Sequence, residues 1–223
     1  MWIKICANTC AEDALKAVEF GADAVGFVFA PSSRRVTVSQ VAAISALLPA
    51  GVERVGVFGA GSVEAIGDAV EEAGLTAAQL HGGVDLDFAR RLGERLGPGV
   101  SIIETLHWTV GDDADSALKV RAQMASVATD KAGYRILVDA GVGASPSGGT
   151  GTTFDWESAR EVLSSQPALR VIVAGGLRPE NVAEAIRVLR PWGVDVASGV
   201  ERAPGRKDFT KLKSFIENAR GAF

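Results

Sequence analysis

Val171-Ile-Val-Ala174-Gly175-Gly176 and Gly193-Val-Asp-Val-Ala197-Ser198-Gly199 are the stretches whose reading decides the fold. Each is a short apolar run that ends on glycine. A third stretch of the same kind lies upstream, where Arg135-Ile-Leu-Val-Asp139 is followed by Gly148-Gly149-Thr150-Gly151. Glycine lets the backbone approach a ligand closely, and turned amides beside a helix N-terminus form a ready anion site. Three such loops meet on one anion only if their strands are parallel neighbours. The pattern therefore predicts a phosphate clamp on a parallel β/α protein.

Working outward, strand and helix signals alternate over the whole chain. Strands are expected at Trp2–Cys6, Ala22–Phe29, Arg54–Phe58, Thr76–Leu80, Ser101–Thr105, Tyr134–Asp139, Val171–Ala174 and Val194–Ala197. Between them the spacing predicts helices, the first opened by a Thr9-x-x-Glu12 capping box, with Ala11, Leu15 and Val18 on one face and Gly21 closing it. Others are expected at Val38–Leu48, from Ser62, at Asp85–Leu96, Asp112–Ala128, Trp156–Leu163, Pro179–Leu189 and Lys207–Ala219. Gly21-Ala-Asp-Ala-Val, Gly74-Leu-Thr-Ala-Ala and Gly193-Val-Asp-Val-Ala each place a helix-ending glycine before a strand. Eight units in 223 residues suit an α/β protein of one domain, residues 1–223, folded as a (β/α)8 TIM barrel. An open doubly wound sheet fits less well, because no glycine-rich turn follows the first strand.

Composition bounds the function. With 47% hydrophobic residues the chain has enough for a sizeable core, and a net charge of −4 argues against general nucleic-acid binding. No apolar run approaches the ~18 residues of a membrane helix. The N-terminus reaches Asn8, Thr9, Glu12 and Asp13 quickly, so a signal-peptide core is not expected. Cys6 and Cys10 read as reduced thiols of a cytoplasmic protein, and with only His81 and His107 besides, a four-ligand structural zinc site is not expected.

In a barrel, residues at C-terminal strand ends face the active site. That rule points to Cys6, Phe29, Phe58, Leu80-His81, Thr105, Asp139, Gly175-Gly176 and Ser198-Gly199. A thiolate at Cys6 can act as a base and a protonated carboxyl at Asp139 as an acid. The plainer alternatives are a buried small side chain and a loop cap. The long segment from Ala140 to Thr153 reads as a binding loop or a surface excursion. Arg34-Arg35 reads as a carboxylate fork or as solvated cations. His81 reads more readily as a packed support than as the main acid or base, and His107 sits past the expected strand end.

The chain resembles the phosphoribosylanthranilate isomerases. The resemblance is carried by Lys4-Ile-Cys6, Glu12-Asp-Ala14, Gly21-Ala-Asp-Ala-Val-Gly-Phe27, Val55-Gly-Val-Phe58, Gln79-Leu-His-Gly82, Gly148-Gly-Thr-Gly151 with Phe154-Asp-Trp156, Gly175-Gly-Leu177 with Pro179-Glu-Asn-Val182, and Asp195 to Glu201 followed by Pro204-Gly205 and Lys207-Asp208. It implies an intramolecular aldose–ketose isomerase of tryptophan biosynthesis, acting at the third step from chorismate on N-(5-phosphoribosyl)anthranilate. The implied reaction is an Amadori rearrangement to 1-(2-carboxyphenylamino)-1-deoxyribulose 5-phosphate, with Cys6 as general base and Asp139 as general acid. Arg35 would hold the anthranilate carboxylate, with His81 also at the substrate. Gly148, Gly149, Thr150, Gly151, Gly175, Gly176, Ser198 and Gly199 would hold the phosphate. No metal or cofactor is implied; the partner is a small phosphosugar rather than nucleic acid or membrane, and the unit is a monomer or homodimer.

Three places depart from the family pattern. Ala7 and Asn8 follow the cysteine where glycine and an apolar residue are usual. Glu104-Thr105 ends the expected fifth strand where a basic or apolar residue is frequent, which leaves the charge near the sugar site open. Gly59-Ala-Gly-Ser62 is unusual after the third strand. Another sugar-phosphate isomerase, or a phosphosugar-binding protein without chemistry, would share the clamp; the presence of both Cys6 and Asp139 speaks against the latter.

Overall fold

The computed structural model describes residues 1–130, 134–141 and 155–222. Eight strands close into one parallel barrel in chain order: β1 (Trp2–Ile5), β2 (Ala24–Val28), β3 (Glu53–Phe58), β4 (Ala77–Leu80), β5 (Ser101–Thr109), β6 (Arg135–Gly141), β7 (Val171–Ala174) and β8 (Gly193–Val196). Closure is made by β8 against β1, from Trp2 opposite Gly193 to Ile5 opposite Val196. Around it run α1 (Ala11–Glu19), α2 (Val38–Ser45), α3 (Val63–Glu72), α4 (Leu86–Leu96), α5 (Asp113–Thr129), α6 (Trp156–Ser164), α7 (Val182–Leu189) and α8 (Phe209–Arg220). The fold is a (β/α)8 barrel, as the alternation of signals predicts. No described helix is long and apolar enough to cross a membrane.

Local chemistry explains the helix starts. Thr37 and Gln40 form a capping box on α2, Ser62 accepts from the Ala65 amide, and Asp85, Asp155 and Asp208 cap α4, α6 and α8. The unusual segment before Ser62 thus delivers an N-cap.

Several expectations are corrected. Thr9 caps nothing: its hydroxyl donates to Gly205 O at 2.6 Å, and α1 starts after Cys10 with no side-chain cap. Leu15 is exposed, and α1 packs through Ala14 and Ala17 instead. Gly193 ends no helix. It is the first residue of β8 and lies so close to Trp2 that a Cβ would fall 2.8 Å from the indole, while Arg190 takes the left-handed turn after α7. Lys207 precedes α8 and belongs to an antiparallel hairpin of β9 (Glu201–Ala203) and β10 (Arg206–Lys207), which the sequence did not announce. Finally, β5 continues to Thr109 because seven residues, 103–109, pair in register with β6. Thr105 is therefore within the strand, and His107 lies on it opposite Asp139.

Side chains alternate in and out along every strand. The interior is filled from the N-terminal end by Trp2 stacked on Trp192 (centroids 5.3 Å apart), with the Arg135 guanidinium over both rings. Arg135 is held by Glu53 at 2.6 and 2.8 Å. Above that plug lies a small apolar layer of Ala24, Val55, Ala77, Ile103, Leu137, Ile172 and Ala174. The larger apolar layer lies outside, between strands and helices.

Candidate functional site

Two residues further along β4, β5 and β6, and on β1 and β8 as well, the same alternation turns the interior polar. Lys4 of β1 is fully buried; its Nζ lies 3.0 Å from Asp195 Oδ1 on β8 and donates to Gln79 Oε1 on β4 at 2.9 Å. Gln79 Nε2 in turn donates to Thr105 Oγ1 at 3.2 Å. Thr105 thus faces inward, and its neighbour Glu104 is directed into the helix layer. Glu104 does not line the cavity between these strand ends. Its carboxylate oxygens are buried and find no hydrogen-bond partner among the described residues. Burial, aided by Asp85, pushes its pKa up to about 8.

Cys6, at the end of β1, stands above Lys4. Both lie across Gly26 of β2, where a Cβ would sit 2.8 Å from Cys6 Sγ and 2.9 Å from Lys4 Cε. A side chain at that position would displace both groups. Burial pushes the Cys6 thiol above its ordinary range, against the opposing pull of the Lys4 and Lys207 ammonium groups. Burial also works against the Lys4 charge, but Asp195 and Cys6 more than offset it and raise its pKa.

The hairpin fastens this strand end. Lys207 Nζ, fully buried, donates to Cys6 O at 2.5 Å and to Ala197 O at 3.3 Å, and its amide donates to Asp13 at 3.0 Å. Asn8 holds the next turn, donating to Ile5 O at 2.7 Å and Gly26 O at 3.2 Å. Ala7 between them has φ 62, a left-handed backbone that glycine adopts without cost. The departure from glycine at this position is therefore a strained one.

Across the barrel mouth, Asp139 projects inward from β6. Burial first, then the Asp195 charge, raises its pKa to about 7, with Lys4 pulling the other way. His81 and His107 meet edge to face with centroids 4.9 Å apart. Burial, then His107 and Lys4, lowers the His81 pKa to about 4, so its ring is neutral at pH 7.

Cys6, His81, Asp139, Gly175, Gly176, Ser198 and Gly199 line one cavity, with Gln79 and Asp195 at its floor. The loops after β7 and β8 thus face the same space as Cys6 and Asp139. Gly175 has φ 88, and a Cβ on it would lie 2.4 Å from Ala140 N, so the turn after β7 tolerates no side chain. Gly148, Gly149, Thr150 and Gly151, together with most of the Ala140 to Thr153 segment, lie outside the described residues. Of the two arginines, Arg34 lines the cavity but is clamped on Glu201 by three hydrogen bonds of 2.7 to 3.0 Å. Arg35 is exposed on the adjoining turn, and no carboxylate among the described residues pairs with it. Sequence reasoning overlooked Lys4, Gln79, Asp195, Glu201 and Lys207. For the first three the signal was available, since each is a polar residue two positions from an inward-facing one.

Comparisons with known proteins agree with this geometry. The family model described as N-(5'phosphoribosyl)anthranilate (PRA) isomerase matches residues 3–218. The N-(5'-phosphoribosyl)anthranilate isomerase of Trichlorobacter lovleyi is 42% identical, over 99% of this chain and 98% of its own. The crystal structure of phosphoribosyl anthranilate isomerase from Thermotoga maritima superposes with a TM-score of 0.82 at 39% identity, covering 99% of both chains. A phosphoribosyl anthranilate isomerase in complex with reduced 1-(o-carboxyphenylamino)-1-deoxyribulose 5-phosphate superposes with a TM-score of 0.78 at 38% identity, again over 99% of both.

Proposed function

The chain belongs to the N-(5'-phosphoribosyl)anthranilate isomerase family of tryptophan biosynthesis, and from that premise we propose how its residues divide the chemistry. The reaction is the Amadori rearrangement of N-(5-phosphoribosyl)anthranilate to 1-(2-carboxyphenylamino)-1-deoxyribulose 5-phosphate, the third step from chorismate. Asp139 protonates the ribose ring oxygen and opens the sugar to a Schiff base. Cys6 then takes the C2 proton, and the resulting enolamine collapses to the ketone. The observation that carries this reading is that Cys6 and Asp139 line one cavity while burial holds the Asp139 pKa near 7. A carboxyl so placed keeps a useful protonated fraction at neutral pH.

Lys4, paired with Asp195, supplies the charge that steadies a Cys6 thiolate. The neutral His81 ring packs against bound substrate. Backbone amides around Gly175, Gly176, Ser198 and Gly199 take the phosphate, joined by the loop at Gly148, Gly149, Thr150 and Gly151. Because Arg34 is committed to Glu201, Arg35 is the guanidinium left to fork onto the anthranilate carboxylate. The chain works as one domain, as a monomer or homodimer, in the cytoplasm, on this small phosphosugar and with no cofactor.

The experiment is turnover of freshly prepared N-(5-phosphoribosyl)anthranilate, followed by loss of its anthranilate fluorescence. Cys6→Ala is expected to lower kcat by about 10²- to 10⁴-fold, with Cys10→Ala unaffected. Near-normal kcat in Cys6→Ala would end the base assignment. An inert wild-type protein would end the substrate assignment. Weakened product binding in Arg34→Ala but not in Arg35→Ala would exchange the roles of the two arginines.

A further inference from the structure

His107 takes no part in the chemistry above, yet the β5–β6 register places it directly opposite Asp139. One donor atom from each of His81, His107 and Asp139 lies within 4.8 Å of the others. A hydrogen bond fixes the tautomer of His107. His107 Nε2 lies 3.1 Å from the carbonyl oxygen of His81, which can only accept, so Nε2 carries a proton and Nδ1 is the nitrogen whose lone pair a metal can take. This is the arrangement in which a metal-ligating histidine spends its second nitrogen on a backbone carbonyl. His81 Nδ1 is buried and has no partner among the described residues. Below them Lys4 is paired with Asp195 at 3.0 Å, which offsets part of the repulsion that a bare ammonium would pose to a cation.

We propose that His81, His107 and Asp139 form a binding site for a divalent transition metal of the zinc, cobalt or nickel type at the mouth of the barrel, and that its occupation blocks turnover. Two imidazoles and a carboxylate, with a fourth position left to water, are a donor set that zinc accepts. Metal–ligand distances of about 2.0–2.1 Å place tetrahedral donors ~3.4 Å apart, so donors at the 4.8 Å limit would each need to move by less than about 1 Å. That is within reach of side-chain rotation in a cavity. The other such cluster among the described residues, Cys10, Glu12 and Asp13, is less suited, because Asp13 already accepts the Lys207 amide. Metal binding itself is independent of the catalytic assignments. The inhibition alone rests on Asp139 acting as the acid, since a carboxylate bound to metal cannot deliver a proton.

The test pairs a binding measurement with an activity measurement on the full chain. Cobalt(II) added to the protein should give visible d–d absorption without the near-ultraviolet charge-transfer band that Cys6 thiolate ligation would produce. Zinc should inhibit turnover, and His107→Ala should weaken both cobalt binding and zinc inhibition by at least ~10-fold, while its metal-free kcat/KM stays within about twofold of wild type. His107→Gln, which keeps a polar side chain on β5, should behave alike and guards against a folding defect. A thiolate–cobalt band, no cobalt uptake, or unchanged cobalt affinity in both variants would overturn the site. Cobalt binding that depends on His107 but leaves turnover intact would retain the site and overturn the blockade, and with it count against Asp139 as the acid. Absence of turnover in the metal-free wild type would instead strike the proposed reaction and leave the cobalt result standing.

Discussion

The two ends of this barrel bury charge in opposite ways. At the N-terminal end Arg135 is sandwiched by Trp2 and Trp192 and grips Glu53 through two hydrogen bonds, so its charge is fully partnered. At the C-terminal end the charges outnumber their partners. Lys4 serves Asp195 and Cys6, and Asp139 is half-buried near a second carboxylate and has its pKa raised to about 7. The same alternation builds both ends from the same strands. What differs is whether each ion is matched, and an unmatched ion is one whose proton can move. One end should therefore respond to mutation in stability and the other in rate.

The largest expected effects test that division directly. Asp139→Asn should lower kcat by about 10²- to 10⁴-fold with little change in the unfolding midpoint. Its pH profile carries the sharper information. If Asp139 must be protonated and Cys6 ionised, log kcat/KM should rise with pH up to about 7, where Asp139 loses its proton, and then level off until the raised Cys6 pKa is reached. In Asp139→Asn the break near pH 7 should vanish and residual activity should keep climbing. A break near 7 that survives the substitution would assign it to another group. At the opposite end, Arg135→Met leaves Glu53 without its partner and should cost roughly 3 kcal/mol of stability, with KM unchanged. A rate defect without a stability defect there would erase the contrast between the two ends.

This contrast was half visible in the sequence. Strand-end position singled out Cys6 and Asp139, and Ser62 announced the start of α3, because these are local signals. The polar layer was legible in principle: Lys4 lies two residues before Cys6, and Gln79 two before His81, on the same inward face. What no local pattern showed was the length of β5. Its last residues are held by pairing with β6, so His107 reads as loop until the partner strand is in place. The hairpin carrying Lys207 was equally hidden. Its ammonium group meets Cys6 O from 201 positions away, and a lysine beside Asp208 looks from sequence like the start of a helix.

Glu104 offers a smaller and cleaner test, since it is an unmatched charge that does not face the cavity. Its folded pKa of about 8 stands above the ordinary value of 4.5. Below about pH 4.5 both folded and unfolded chains carry the proton, and the carboxyl imposes no ionisation penalty. Above that, the unfolded chain ionises while the folded one does not, so stability falls until the folded group also titrates near pH 8. Glu104→Leu should remove this loss, leaving the variant about 1–3 kcal/mol more stable at pH 8 and by a smaller margin at pH 5. Thermal unfolding at the two pH values measures it. The Asp139 titration is common to both proteins and cancels in the difference. An advantage that shrinks as pH rises would mean the carboxyl is ionised and partnered after all.

Ala7 carries the smallest effect and lies beside Cys6 at the C-terminal end of the barrel. Its φ of 62 places a methyl group in the left-handed region, at a cost of roughly 1–2 kcal/mol relative to glycine. Glycine would relieve that strain but adds freedom to the unfolded chain worth ~0.4–1 kcal/mol, so Ala7→Gly should stabilise by only about 0.5–1 kcal/mol. The conformation persists because its neighbours over-determine it: Lys207 holds Cys6 O, and Asn8 is tied to Ile5 O and Gly26 O. With those ties intact, Cys6 should keep its place, and kcat should change by less than about twofold. A large fall in kcat without a loss of stability would instead show that the methyl group orients the thiol. In that case the strain at position 7 belongs with the unmatched charges as part of the working end of the barrel.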